Sequence, residues 1–115
     1  MNNLPDLSDY NSDQTQIGRI TLNSYGGMQN LSGEIYTVSC SDDNSIVKKI
    51  LASEGKNKVL VIDASGVAHA SMIGDQIAES AVKNNWAGIV VNGRVRDVEE
   101  LKNLPIGIFA KGVVA

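Results

Sequence analysis

The chain has 115 residues, which suits one domain with one modest core, and 43% of them are apolar, an ordinary globular share. A formal charge of -3 with no basic cluster, and only 4% aromatic residues, argue against direct nucleic-acid binding. Phosphate tracking needs convergent Lys and Arg, and single strands need aromatic platforms to stack on. No apolar stretch approaches the roughly 20 residues of a membrane-spanning helix, and Met1 to Asp6 lacks a basic, apolar leader pattern, so a soluble, cytoplasmic protein with no membrane partner is expected.

Residues 1–32 are polar, with apolar positions at Leu4, Leu7, Tyr10, Ile17, Ile20 and Leu22 that predict short elements laid over a core. The pair Gly26-Gly27 closes this region and reads as a turn with positive φ. Ile35, Thr37 and Ser39 then alternate with Tyr36, Val38 and Cys40, the period-2 pattern of a strand. Cys40, the only cysteine, has no internal disulfide partner and reads as a small buried hydrophobe. A helix follows, capped by Asp43 or Asn44, with Ile46, Val47, Ile50 and Leu51 at helical spacing and Gly55 where the chain leaves it.

Val59 to Ile62 is a continuous apolar run, which predicts a strand covered on both faces. A second helix carries Ile73, Ile77, Ala81 and Val82 on one stripe and closes near Asn84-Asn85. Ala87 to Val91 predicts another buried strand, Asp97 to Leu101 a short helix with Asp97 and Glu100 as a capping box, and Ile106 to Ala110 the start of a further strand. Strands alternating with helices predict a single α/β domain over residues 1–115, built partly from βαβ crossovers. The apolar tail Gly112 to Ala115 has no polar terminator, so the chain reads as truncated at its C-terminal side.

Ligand loops in such sheets gather at the carboxyl ends of the strands, here Asp63 to Asp75 and Asn92 to Asp97. The first reaches Gly74-Asp75-Gln76 at a predicted helix start, where free N–H groups and the positive dipole end favour a substrate carboxylate. The second presents Arg94 and Arg96, guanidinium forks for a carboxylate, beside Asp97, an oxygen ligand for a hard cation. Each has a plainer reading: a capping box for Asp97, a surface ion pair for Arg96, and helix-dipole preference for Asp75. His69, the only histidine, has no partner at zinc spacing, and Ser65 has no nucleophile-elbow sequence.

These residues resemble the RraA-like proteins, which include the regulator of ribonuclease E activity and the class II 4-hydroxy-4-methyl-2-oxoglutarate aldolases. The likeness runs through almost the whole chain and is densest in Lys58 to Asp63, Gly74-Asp75, Trp86 to Val91 and Gly93 to Asp97. Its most specific part, shared with the aldolase branch, is an Asp, twenty intervening residues, then Arg-Asp: Asp75, residues 76–95, Arg96-Asp97. The resemblance implies a layered β/β/α, swivelling-domain-like fold, and a homotrimer with sites between subunits. It also implies that the family domain continues beyond Ala115. By the same likeness Asp97 would bind a divalent cation, Mg²⁺ or Mn²⁺, and Arg96 would hold the substrate. Asp75 would orient a water on the metal, and the backbone at Gly74, Asp75, Gln76 and Ile77 would seat a substrate carboxylate.

The implied activity is lyase chemistry on a small 2-oxo acid. It comprises aldol cleavage of 4-hydroxy-4-methyl-2-oxoglutarate to pyruvate and decarboxylation of oxaloacetate, both through pyruvate enolate. The alternative is a non-catalytic inhibitor of ribonuclease E. The regulator branch typically has a non-ligating residue where this chain has Asp97, which favours the enzyme. A methyltransferase has no support, since no glycine-rich nucleotide loop follows the first strand.

Overall fold

A computed structural model describes residues 14–17, 20–40, 44–64 and 71–113. The expectations for Leu4, Leu7, Tyr10, Asp43, Ser65, His69 and the last two residues lie outside these. In chain order the elements are β1 (Gln14–Ile17), β2 (Ile20–Ser24), β3 (Glu34–Ser39), α1 (Ser45–Leu51), β4 (Lys58–Asp63) and β5 (Ser71–Ile73), then α2 (Asp75–Lys83), β6 (Gly88–Val95), α3 (Val98–Leu101) and β7 (Gly107–Val113). The predicted α/β class is the one found. All seven strands join one mixed sheet in the order β1-β2-β7-β6-β4-β3, with β5 paired to β6. The β3, β4, β6 and β7 ribbon is parallel, and the β1-β2 hairpin adds to β7 antiparallel.

The apolar runs form the central strands because both faces of the sheet are covered. Leu60 and Ile62 of β4, Ile89 and Val91 of β6, and Ile108 of β7 join Val47, Leu51, Ile77, Ala78, Ala81 and Leu101 in a core that contains all three helices. The alternate residues Val59, Val90 and Phe109 pack with Leu22 and Leu31 in a second, helix-free cluster. Side chains on a strand alternate faces, so a run with no polar interruption serves both clusters. Cys40 is buried in the helix-side core, as its place in the strand pattern predicts.

Two glycine expectations change. Gly26 and Gly27 do not take positive φ. Their segment instead lies directly on the chain leading into β7, with Gly27 N–H donating to the Leu104 carbonyl at 2.9 Å and Met28 N–H to Ile106 at 3.3 Å. A Cβ on Gly26 would come 2.1 Å from the Ile106 oxygen, so backbone proximity excludes a side chain there. Gly55 does not terminate α1, whose C-cap is Ala52. It lies flat against Trp86, where an added Cβ would meet the indole at 2.0 Å. The Trp86 Nε1–H donates to the Ser53 carbonyl at 3.0 Å, pinning the α1–β4 connection.

The boundaries near the strand exits also shift. Ile73 belongs to β5, not to the α2 stripe, and Gly74 is the N-cap residue of α2. β6 runs on through Gly93, Arg94 and Val95, so the second exit begins at Arg96. The extension has a cause: after pairing β4 through Ile62 and Val91, β6 takes β5 as its new neighbour, with Ser71 opposite Arg94. Asn44 occupies the N-cap of α1 without a side-chain cap bond, and its amide points to the Met72 carbonyl at 3.5 Å.

Gly26→Ala must displace a backbone carbonyl and is expected to destabilise the fold by about 3 kcal/mol. Gly112→Ala, where a new Cβ meets nothing within 4 Å, is the matched control, expected to stay within about 0.5 kcal/mol of the parent. Urea denaturation of both variants checks the contrast.

Candidate active site

The site forms where β5 and β6 end side by side. The Arg96 N–H donates to the Ile73 carbonyl at 3.0 Å, which prolongs the β5–β6 pairing by one bond. Asp97 then enters the left-handed region, φ 60° and ψ 42°, and its side chain makes no cap bond to α3. Asp is among the few residues that visit this region readily. The turn aims its carboxylate back at α2, where Oδ2 accepts the Asp75 N–H at 3.2 Å. The predicted Asp97–Glu100 capping box is therefore absent. What holds α3 is the Asp97 carbonyl, which accepts the Glu100 and Leu101 N–H groups.

Asp75 and Arg96-Asp97 thus meet in space across the twenty-residue interval. The Arg96 Nε lies 3.8 Å from Asp97 Oδ2, with the two side chains 66% and 37% exposed. A pair that open to water contributes little stability, so the guanidinium remains available to an anion from solution. Gly74 completes the corner. A Cβ there would stand 3.0 Å from Arg96 Nε and 3.1 Å from Asp97 Oδ2, so its absence leaves a cradle between the two charged groups.

The first turn of α2 begins with Asp75, and the first helical backbone bond is Ala78 N–H to the Gly74 carbonyl. Gln76 and Ile77 N–H groups consequently have no acceptor inside the helix. Of the four backbone positions expected to seat a carboxylate, Asp75 donates to Asp97 instead, which leaves the Gln76 and Ile77 amides in the first turn of the helix. Among the described residues, no three of His, Cys, Asp and Glu converge on one point. A cation held by Asp97 in the Gly74 cradle would therefore take one protein carboxylate and several solvent oxygens, a set that suits a hard ion such as Mg²⁺ or Mn²⁺.

One residue escaped attention in the sequence. Asn92 of β6 accepts the Ala64 N–H on Oδ1 at 2.6 Å and donates through Nδ2 to Asp63 Oδ1 at 3.1 Å. Its signal was there to read: a lone amide ending the apolar run Gly88 to Val91. A groove on the solvent side of α2, lined by Gln76, Glu79, Ser80 and Lys83, does not include Asp75, Arg96 or Asp97.

The family model described as RraA-like, Aldolase/RraA, matches residues 4–115. The chain belongs to the RraA-like family. It is 45% identical over 107 residues to a Marinomonas protein named "Putative 4-hydroxy-4-methyl-2-oxoglutarate aldolase", covering 93% of this chain and 66% of that one. An Alcanivorax borkumensis protein of the same name is 46% identical over 110 residues, covering 95% of this chain and 69% of that one. Among solved structures, the RNA-processing inhibitor RraA from Thermus thermophilus superposes with a TM-score of 0.78 at 38% identity, covering 81% of this chain and 57% of that one. This RraA-like chain thus spans about two thirds of the length of the curated relatives it matches. No helix among its described residues is long and apolar enough to cross a membrane.

The Asp97 contact predicts separable effects on stability. Asp97→Ala loses the acceptor for α2 and puts a Cβ residue without a polar side chain into the left-handed region, an expected cost of about 2 kcal/mol. Asp97→Asn keeps an acceptor and tolerates the same backbone, so it is expected to cost about 0.5 kcal/mol or less. Thermal unfolding of both variants without added metal tests the ordering.

Proposed function

We propose that this RraA-like domain carries the site of a divalent-metal-dependent lyase. In this reading it cleaves 4-hydroxy-4-methyl-2-oxoglutarate to pyruvate and also decarboxylates oxaloacetate. The observation that carries the reading is the Asp97 Oδ2 to Asp75 N–H contact, which brings the Arg96-Asp97 pair to the N-terminus of α2 beside the Gly74 cradle. The names of the aldolase relatives support the substrate class.

Asp97 would hold the cation, and the cation's charge would draw electron density from the oxo and carboxylate oxygens of the substrate. The remaining work falls to the chain itself. Arg96 binds the substrate through its planar fork, fixing the plane of the 2-oxo acid. The Gln76 and Ile77 N–H groups, reinforced by the dipole of α2, seat the carboxylate. Asp75, at the same helix start, orients a water that carries protons.

In the aldol direction that water takes the proton of the 4-hydroxyl as the bond between C3 and C4 breaks. The bonding pair moves into the C2–C3 bond to give pyruvate enolate, the second ketone departs as pyruvate, and a proton returned to C3 completes the turnover. With oxaloacetate the departing group is carbon dioxide, and the same enolate is protonated at the same carbon. Fixed donors aimed at the developing negative charge account for one site serving both reactions. The exposure of Arg96 and Asp97 leaves the site open on one side, and a homotrimer with the site between subunits would wall it off.

A second reading, inhibition of ribonuclease E without catalysis, is supported by the Thermus structure's description as an RNA-processing inhibitor. Loss of RNA cleavage on addition of the protein, with no turnover of any 2-oxo acid, would favour it.

Coupling pyruvate release to lactate dehydrogenase tests the lyase directly. Turnover of oxaloacetate and 4-hydroxy-4-methyl-2-oxoglutarate is expected only with Mg²⁺ or Mn²⁺. Asp97→Asn, which spares the fold, is expected to lower it roughly 100-fold, and undiminished turnover there removes the proposal. Arg96→Lys replaces a bidentate fork with a point charge and is expected to cost roughly tenfold or more in kcat/KM.

A further inference from the structure

β6 is the strand on which both arms of the candidate site depend, and it changes neighbours partway along. Its first half pairs with β4 up to Ile62 opposite Val91, and its second half pairs with β5 from Ser71 opposite Arg94. Asn92 stands at this fork. At that point β4 leaves the sheet, the ladder ends, and the Ala64 N–H needs another acceptor. The Asn92 side chain supplies it at 2.6 Å, a short bond, while its amide nitrogen donates to Asp63 Oδ1 at 3.1 Å. The neighbouring Gly93 lets the departing chain pass close, since a Cβ on it would be 3.0 Å from the Ala64 methyl. Ala64 itself is buried, at 1% exposure, so its N–H has little access to water as a substitute partner.

From this fork the two arms diverge. One ends in β5 and Gly74-Asp75, and the other runs along β6 to Arg96-Asp97. We propose that Asn92 is a positioning residue for the site, its amide clamping the exit of β4 to β6 so that the Gly74-Asp75 arm and the Arg96-Asp97 arm meet in register. The inference rests on the lyase reading for its catalytic consequence, and on the hydrogen bonds alone for its structural one.

The clamp is directional, which makes it testable. Ala64 presents a donor and Asp63 an acceptor, so the side chain between them must offer one acceptor and one donor, as the Asn92 amide does. Asn92→Asp keeps the shape and the bond from Ala64 but sets a second carboxylate against Asp63. The double variant Asp63→Asn with Asn92→Asp restores a donor and an acceptor with the direction of the side-chain bond reversed. Both are to be compared with the parent by amide chemical shifts of Ala64, Asp75 and Arg96, by Mn²⁺ affinity from water-proton relaxation, and by kcat and KM for oxaloacetate.

The expected result is displaced Asp75 and Arg96 amide resonances and roughly tenfold weaker Mn²⁺ binding and kcat/KM in Asn92→Asp, with recovery to within about threefold in the double variant. Unchanged Asp75 and Arg96 resonances and Mn²⁺ affinity in Asn92→Asp overturn the proposal. So does a double variant that folds no better and binds no more tightly than the single one. A parent protein that turns over no 2-oxo acid would remove the lyase reading, and the resonances and Mn²⁺ affinity would still decide the role of Asn92.

Discussion

A single carboxylate oxygen, Asp97 Oδ2, ties together the two corners of the candidate site. Carried by a residue held at positive φ, it accepts the first N–H of α2, so one contact links the β5–α2 corner to the β6–α3 corner. A cap from a distant segment serves the same electrostatic need as a local one. The helix N-terminus gains a negative partner, and one of its orphan donors is satisfied. The left-handed backbone costs about 1 kcal/mol for most residues and less for Asp, an amount that one charge-assisted cap can offset. The outcome is a carboxylate and a guanidinium held beside a helix N-terminus before any ligand arrives, which is what preorganised anion and cation recognition requires.

The sheet divides its labour along the strand direction. At the end where the parallel strands begin, Gly55 packs on Trp86 and Gly88 on Leu31, and the Trp86 Nε1–H is satisfied by the Ser53 carbonyl. At the end where they finish, side chains turn polar: Asp63 on β4, Asn92 and Arg94 on β6, then Arg96 and Asp97. Parallel ladders direct every strand's C-terminus to one side, so the segments that follow are gathered there by topology, and ligand sites in α/β sheets collect at that edge. β6 makes this possible by pairing β7 along one edge and β4, then β5, along the other.

Much of this architecture was legible in the residues. Continuous apolar runs at Val59 to Ile62 and Gly88 to Val91 mark strands covered on both faces, because a strand with one wet face must alternate. Of the positions at helical spacing, Val47, Leu51, Ile77 and Ala81 enter the core, whereas Ile46 faces solvent at 41% exposure. The Asp75, Arg96-Asp97 interval marked two segments that the fold brings into contact, and a buried Cys40 followed from its place at the end of a strand pattern.

What the sequence by itself determined was therefore the class of each segment and the identity of the charged residues, since both depend on local periodicity and residue chemistry. Tertiary structure alone decided their contacts. Asp97 followed by Glu100 looks like a local cap, but the carboxylate turns to α2 because the β5–β6 pairing brings that helix start within reach. Gly26 and Gly55 look like turn and helix-end glycines, whereas each is small because a carbonyl or an indole lies where a Cβ would go. Asn92 stands out locally as a lone amide ending an apolar run, but its task does not show there, because the donor and acceptor it joins, Ala64 and Asp63 at the exit of β4, lie 28 and 29 residues earlier. Local chemistry names a residue's capabilities, and only the folded chain supplies the partner that uses them.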